Sequence, residues 1–181
     1  MGVPLEIVGA WRRSGLILNG VRKVDYCDVI WLQTPEWFVD IRLRIDPADA
    51  VPTEGIPDWF YKEFSFAGVA MWTPPVLTWN HLIDSRLTRS LDSNPLTWED
   101  GVVLERGKAQ VNAQEVPFIE EWLRMTGDDV AWSAENSDRE ARIEVGRWAV
   151  EIKDDRPAGG FVSTRYERKG SGWVTVGSVR G

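Results

Sequence analysis

Four polar residues, Gln33, Asp40, Arg42 and His81, lie within or beside runs of β-forming sequence. Side chains on a strand alternate with period two, so Asp40 and Arg42 share a face. They can pair there, and the planar fork of donors on Arg42 can hold a ligand carbonyl or carboxylate. His81 is the only histidine, which excludes zinc sites built on several imidazoles. A lone imidazole can still act as a general base or as an axial haem ligand, although nothing near it resembles a haem-attachment motif. The acidic doublets Glu99-Asp100, Glu120-Glu121 and Asp154-Asp155 point to opposite faces of a strand, and such doublets more often end strands in solvent than act as one pair. A cross-barrel approach of Asp40 to Glu120 would instead raise one carboxyl and create an acid. Asp40, Arg42 and His81 are therefore the candidate catalytic residues, with Gln33 and Glu120 as further ligand contacts.

Eleven tryptophans accompany these groups. Core packing accounts for them in one reading, since indole favours strands and needs a single partner for its N–H. In the other, several of them line a cavity for a flat or greasy ligand, and barrels of this size hold one small molecule. Trp31, Trp72, Trp79 and Trp148 are the candidates for that lining.

The elements that must position these residues are strands. In EWFVDIRLRI, Trp37, Val39, Ile41, Leu43 and Ile45 point one way, and Glu36, Phe38, Asp40, Arg42 and Arg44 the other. CDVIWLQ precedes it as a more buried strand, and the Thr34-Pro35 step makes the two a hairpin. The alternation returns in VLTWNHLID, which puts Leu77, Trp79, His81 and Ile83 on one face after the Thr73-Pro74-Pro75 break from FAGVAMW. LTWED and GVVLERG flank a tight Asp100-Gly101 turn, and RIEVGRWAVEI, GGFVSTRYERK and GWVTVGSV supply further β-rich runs. Residues 52–62 predict one or two helical turns. EVPFIEEWLRM fits neither period cleanly, and its neighbours favour a strand. The alternation alone leaves two placements for the Asp40 face: lining a lumen, or lying in solvent outside an apolar core.

Many short strands in hairpin order predict an all-β fold: an antiparallel up-and-down barrel of about ten strands with one or two short helical turns, as one domain over residues 1–181. The net charge of −7, with acidic and basic residues interspersed, disfavours a nucleic-acid partner. No apolar run approaches the length of a membrane helix, and no secretory pattern opens the chain, so a cytoplasmic protein with no membrane partner is expected. One cysteine, Cys27, cannot form an intrachain disulfide. Neither the P-loop nor the dinucleotide pattern is present, and no GxSxG elbow exists, so no cofactor and no metal are expected and serine-hydrolase chemistry is rejected.

GAWRR, WLQTPEWFVDIRLR, FAGVAMW, LTWNHLID and WEDGVVLERG occur in this order along the chain. Together they resemble a family of bacterial lipocalin-like (calycin) proteins, itself similar to a fungal two-barrel protein that interacts with a casein kinase. The resemblance covers residues 8–157, is most specific from Trp31 to Arg42, and implies a lipocalin-like barrel more firmly than an activity. Three functions follow: a binder of a small hydrophobic or aromatic ligand; a cofactor-free isomerase, cyclase or cycloaddition catalyst using the same pocket; and an interaction module or homodimer.

Overall fold

The structure is a computed structural model that describes residues 2–45, 56–88, 90–156 and 158–181. Its strands follow the period-two runs: β1 (Gly9–Leu18), β2 (Val21–Arg22), β3 (Cys27–Gln33), β4 (Trp37–Arg44), β5 (Phe64–Thr73), β6 (Val76–Asp84), β7 (Leu91–Glu99), β8 (Val102–Val111) and β9 (Gln114–Arg124). Apart from the two-residue β2, which extends β1 at the rim, each pairs antiparallel with the next. β9 then pairs with β1, so eight strands close into an up-and-down barrel.

The remaining five strands, β10 (Trp132–Asn136), β11 (Glu140–Val145), β12 (Trp148–Asp154), β13 (Phe161–Lys169) and β14 (Gly172–Arg180), form a separate antiparallel meander. The expected all-β up-and-down barrel is present, with eight strands in the closed ring rather than about ten. Once β1 and β9 have paired, the barrel has no free edge for a later strand to join. The later runs instead cover the barrel's outward apolar face: Ile30, Leu32, Val39 and Ile41 meet Ile143, Val150, Ile152 and Phe161 of the second sheet.

Both faces of β4 are consequently buried. Val39, Ile41 and Leu43 face the second sheet, while Phe38, Asp40 and Arg42 face the lumen. The solvated alternative for the Asp40 face is excluded, since Asp40 and Arg42 are only 4% and 7% exposed.

The β5–β6 ladder skips Leu82, passing from Ala67 opposite Ile83 to Gly68 opposite His81. A bulge of this kind reverses the facing of everything beyond it. Leu77, Trp79 and His81 share the inner face as expected, but Ile83 turns outward into the inter-sheet core.

Asp100 and Gly101 form the β7–β8 turn with φ of 50° and 80°, the left-handed pair that a two-residue hairpin requires. EVPFIEEWLRM lies in β9, where Pro117 sits one residue beyond Phe118, the last position paired with β1. Of the predicted helical stretch, residues 52–55 lie outside the described residues, and Asp58–Phe60 forms one 3-10 turn. Among the described residues, no helix is long and apolar enough to cross a membrane.

Candidate functional site

Four buried tryptophans fill one end of the lumen. Trp31 stacks on Trp11 with ring centroids 5.7 Å apart and meets Trp79 and Trp122 edge-on at 5.6 and 5.7 Å. The N-terminal segment backs this cluster with Val3 and Ile7, and Trp11 Nε1 donates to the Ile7 carbonyl at 2.9 Å. At the other end, Trp59 and Phe60 of the 3-10 turn pack with Phe118, Leu16 and Leu18.

Between the two ends lies a cavity of about 260 Å³. Its exposed lining residues, Arg86, Leu91 and Lys108, mark the mouth. Near it, the β7–β8 ladder covers only Leu96–Glu99 against Val102–Glu105, so the part of β7 that carries Asp92 and Asn94 is hydrogen-bonded to β6 alone.

Period-two geometry brings the charged groups together. Arg42 Nε donates to Asp40 Oδ1 at 2.9 Å and its Nη1 to the Trp59 carbonyl at 3.4 Å, with the guanidinium 4.6 Å from the Phe64 ring centre. Burial disfavours the charge on Arg42, but Asp40 and Glu120 outweigh it and raise its pKa. Burial also lifts the Asp40 carboxyl above its ordinary value, and the opposing pull of Arg42 does not cancel the effect. On β1, Arg13 grips Asp25 through Nε and Nη2, both at 2.7 Å, and donates from Nη1 to Glu120 Oε1 at 2.5 Å. Arg42 and Arg13 are therefore both occupied by carboxylates of the chain itself.

Two further carboxyls have no arginine. The Asn94 side-chain amide bridges them, donating to Asp92 Oδ1 at 2.9 Å and to Glu105 Oε1 at 2.8 Å, while Trp122 Nε1 donates to Glu105 Oε2 at 3.1 Å. Burial, then Glu120 and Asp92, push the Glu105 carboxyl well above its ordinary range. Burial likewise raises Asp92. Glu105 is therefore an acid that holds its proton longer than a surface glutamate.

His81 stacks on Phe66 with centroids 4.0 Å apart, and its Nδ1 lies 3.3 Å from Asp84 Oδ2 and 3.1 Å from Ser90 Oγ. Burial would raise Asp84, but hydrogen bonds from His81 and Arg86 outweigh it and hold the carboxyl below its ordinary value. An ionised Asp84 can only accept, so Nδ1 carries a proton, and in the neutral ring Nε2 then presents a lone pair. That Nε2 is buried and has no hydrogen-bond partner.

Of the residues singled out from sequence, Trp31, Asp40, Arg42, Trp79, His81 and Glu120 line this one cavity. Gln33 is fully buried beside it, accepting from Trp31 Nε1 at 3.1 Å and donating to the Thr34 carbonyl at 2.7 Å, so it orients the indole and holds the β3–β4 turn. Trp72 packs edge-on against Trp98 near the end of β5, outside the cavity lining. Trp148 stands on β12, against the core between barrel and second sheet, because its strand never joins the barrel. Cys27 is a buried free thiol, which burial pushes up to about 11.

Sequence reasoning missed Arg13, Asp92, Asn94 and Glu105. Arg13 alternates with Trp11, and Glu105 with Val103, so the period-two signal was present. Asp92 and Asn94 stand in LDSNPLTWE, where the polar run and Pro95 suggest a loop.

The molecule is thus an antiparallel β-barrel protein with an aromatic, charged and partly open lumen, braced on one side by a second sheet. The family model described as Protein HRI1 matches residues 12–179, and the chain belongs to that family. No curated protein and no solved structure matches it.

Proposed function

We propose that this protein binds a small apolar or aromatic molecule in its lumen. The observation that carries this reading is the cavity of about 260 Å³ between Trp31, Trp79 and Trp122 at one end and Trp59 and Phe118 at the other. Eight-stranded barrels have interiors just wide enough for one small ligand, and drug-sized ligands occupy roughly 300–1,000 Å³, so a metabolite of smaller size fits. The meander order of eight strands is that of lipocalin-like (calycin) barrels, and we place the chain with them. A buried free thiol suits a reducing, cytoplasmic setting.

The test is a fluorescence titration with 2-naphthol, a neutral aromatic probe, alongside native mass spectrometry of protein from its own source. Saturable quenching of tryptophan emission, lost in Ser90→Trp where the new side chain fills the mouth, is the expected result. Quenching that never saturates, or that is identical in Ser90→Trp, overturns the reading.

A second reading, a cofactor-free isomerase, cyclase or cycloaddition catalyst, is favoured by one arrangement. An unpartnered imidazole nitrogen and a proton-holding carboxyl, His81 Nε2 and Glu105, line the same cavity. It predicts that any compound retained by the native protein is converted on incubation. Turnover that survives replacement of both residues rules this mechanism out.

A further inference from the structure

The charges around the cavity do not balance. Asp40, Asp92, Glu105 and Glu120 all line it, and of the arginines and lysines among the described residues only Arg42, Arg86 and Lys108 do. Arg42 is held by Asp40, Arg86 by Asp84 at 3.0 Å, and Lys108 by Glu115 at 2.6 Å. Arg13, behind Glu120, is shared between Glu120 and Asp25. Asp92 and Glu105 are left with neutral donors only, the amide of Asn94 and the indole of Trp122. An anionic ligand would meet these carboxyls with no unpaired guanidinium among the described lining residues to receive it, so Arg42 is not the carboxylate clamp its spacing suggested.

The surrounding groups point to the opposite charge. Trp79 stands directly across the ladder from Asp92, and Trp122 touches Glu105. Indole faces attract cations more strongly than other aromatic rings do. In the same cavity, His81 is 2% exposed and its Nε2 is without a donor. Among the described residues, no three His, Cys, Asp or Glu side chains are grouped as a metal ion needs. An ammonium, with several N–H donors on one centre, can serve carboxyls and imidazole at once.

We infer that the lumen accepts an organic cation, a small amine with an aromatic or apolar body whose charged end sits between Asp92 and Glu105 beside Trp79 and Trp122. The inference rests on the lumenal-binding reading and gives it a ligand class. Burial shifts Glu105 toward its protonated form. The entering ammonium replaces that proton as the counter-charge, Glu105 releases it to solvent, and the amine keeps its own. The titratable and charged groups around Glu105 are Asp92 from β7 and Glu120 from β9, with Arg13 behind Glu120 on β1; Asp40 and Arg42 of β4, His81 of β6, Lys108 of β8 and Arg86 at the mouth also line the cavity.

The experiment is isothermal titration calorimetry of the full chain with three probes of one shape: phenethylamine, 2-phenylethanol and 3-phenylpropionate. The amine is expected to bind about tenfold or more tighter than the alcohol, with the propionate weakest. Repeating the titration in buffers of different ionisation enthalpy should show a proton released by the amine and none by the alcohol, a readout that needs no variant. Asp92→Asn, at a half-buried position, should cut the amine-to-alcohol ratio. Alcohol binding equal to the amine, or propionate binding best, overturns the cation inference and leaves the lumenal reading standing. So does 2-naphthol binding when none of the three probes does. If neither these probes nor 2-naphthol binds, both readings fail together.

Discussion

The two faces of β4 lie back to back and solve burial in different ways. Outward, Val39, Ile41 and Leu43 enter a seam of aliphatic side chains shared with the second sheet. Its polar contacts are few: Ser65 and Ser163 share a hydrogen bond at 2.8 Å, and Arg165 reaches Asp28 at 2.6 Å. Inward, Phe38, Asp40 and Arg42 join a lumen in which aromatic rings alternate with charges and space is left over. Aliphatic surface is buried for the free energy of burial itself. Buried ions cost desolvation that apolar residues of like volume would avoid, so their number in the lumen argues for a site.

That contrast is easiest to break at Arg13, which joins Asp25 and Glu120 with a side chain 0% exposed. Arg13→Met leaves Asp25 without this partner and Glu120 with only the more distant Arg42 at 3.7 Å, and removing one partner of a buried pair costs ~3–5 kcal/mol. Urea unfolding should show that loss, and adding Glu120→Gln should restore part of it. No recovery in the double variant would mean that Arg13 acts by packing, as residues in the seam do.

In the seam, Ile143→Ala removes a fully buried side chain. Its expected cost is ~2–5 kcal/mol, set by the cavity left behind. Ligand titrations of the folded variant should be unchanged, since Ile143 is remote from the lumenal lining. A cost below ~1 kcal/mol would mean that the second sheet barely contributes to the barrel's stability.

Most of this contrast was legible in the sequence, and the losses have definite causes. Period-two spacing in EWFVDIRLRI separates the two faces of β4, and the same rule puts Trp79 and His81 on one face of β6. It cannot tell which face is inside, because a covering sheet buries both. The end of the barrel was equally hidden, since the β1–β9 pairing joins residues 100 to 113 positions apart and has no local signature. Trp148 was misplaced for that reason, and Ile83 because a bulge at Leu82 leaves no mark in the composition. Asp92 and Asn94 were missed because Pro95 obscured a strand that is paired only on its β6 side there.

A smaller effect separates the regions by pH. The raised Glu105 means that the folded state keeps a proton which the unfolded chain gives up. Its stabilising contribution is complete below the ordinary glutamate value of 4.5 and is lost as pH rises toward the raised one. Asp84 has the opposite sign: its contribution is complete above the ordinary 3.8 and is lost as pH falls below it. Unfolding measured across this range should show stability falling on both sides, and Glu105→Gln should flatten only the alkaline side. An unchanged alkaline slope in that variant would place the excess proton on another lumenal carboxyl, Asp92 or Asp40, both of which are also raised.

The finest difference needs no change in stability. Because His81 is the only histidine, nitrogen NMR of the whole protein reports one imidazole without assignment. Asp84 accepts from Nδ1, so the ring should be the Nδ1-protonated tautomer with a bare Nε2, the reverse of the preference of free histidine. Among the described residues nothing occupies that lone pair, so a bound ammonium should shift the Nε2 resonance while Nδ1 stays tied to Asp84. An Nε2-protonated ring would turn that atom from an acceptor into a donor. The lumen would then offer a hydrogen bond to a carbonyl, and the cation inference would lose one of the groups that support it.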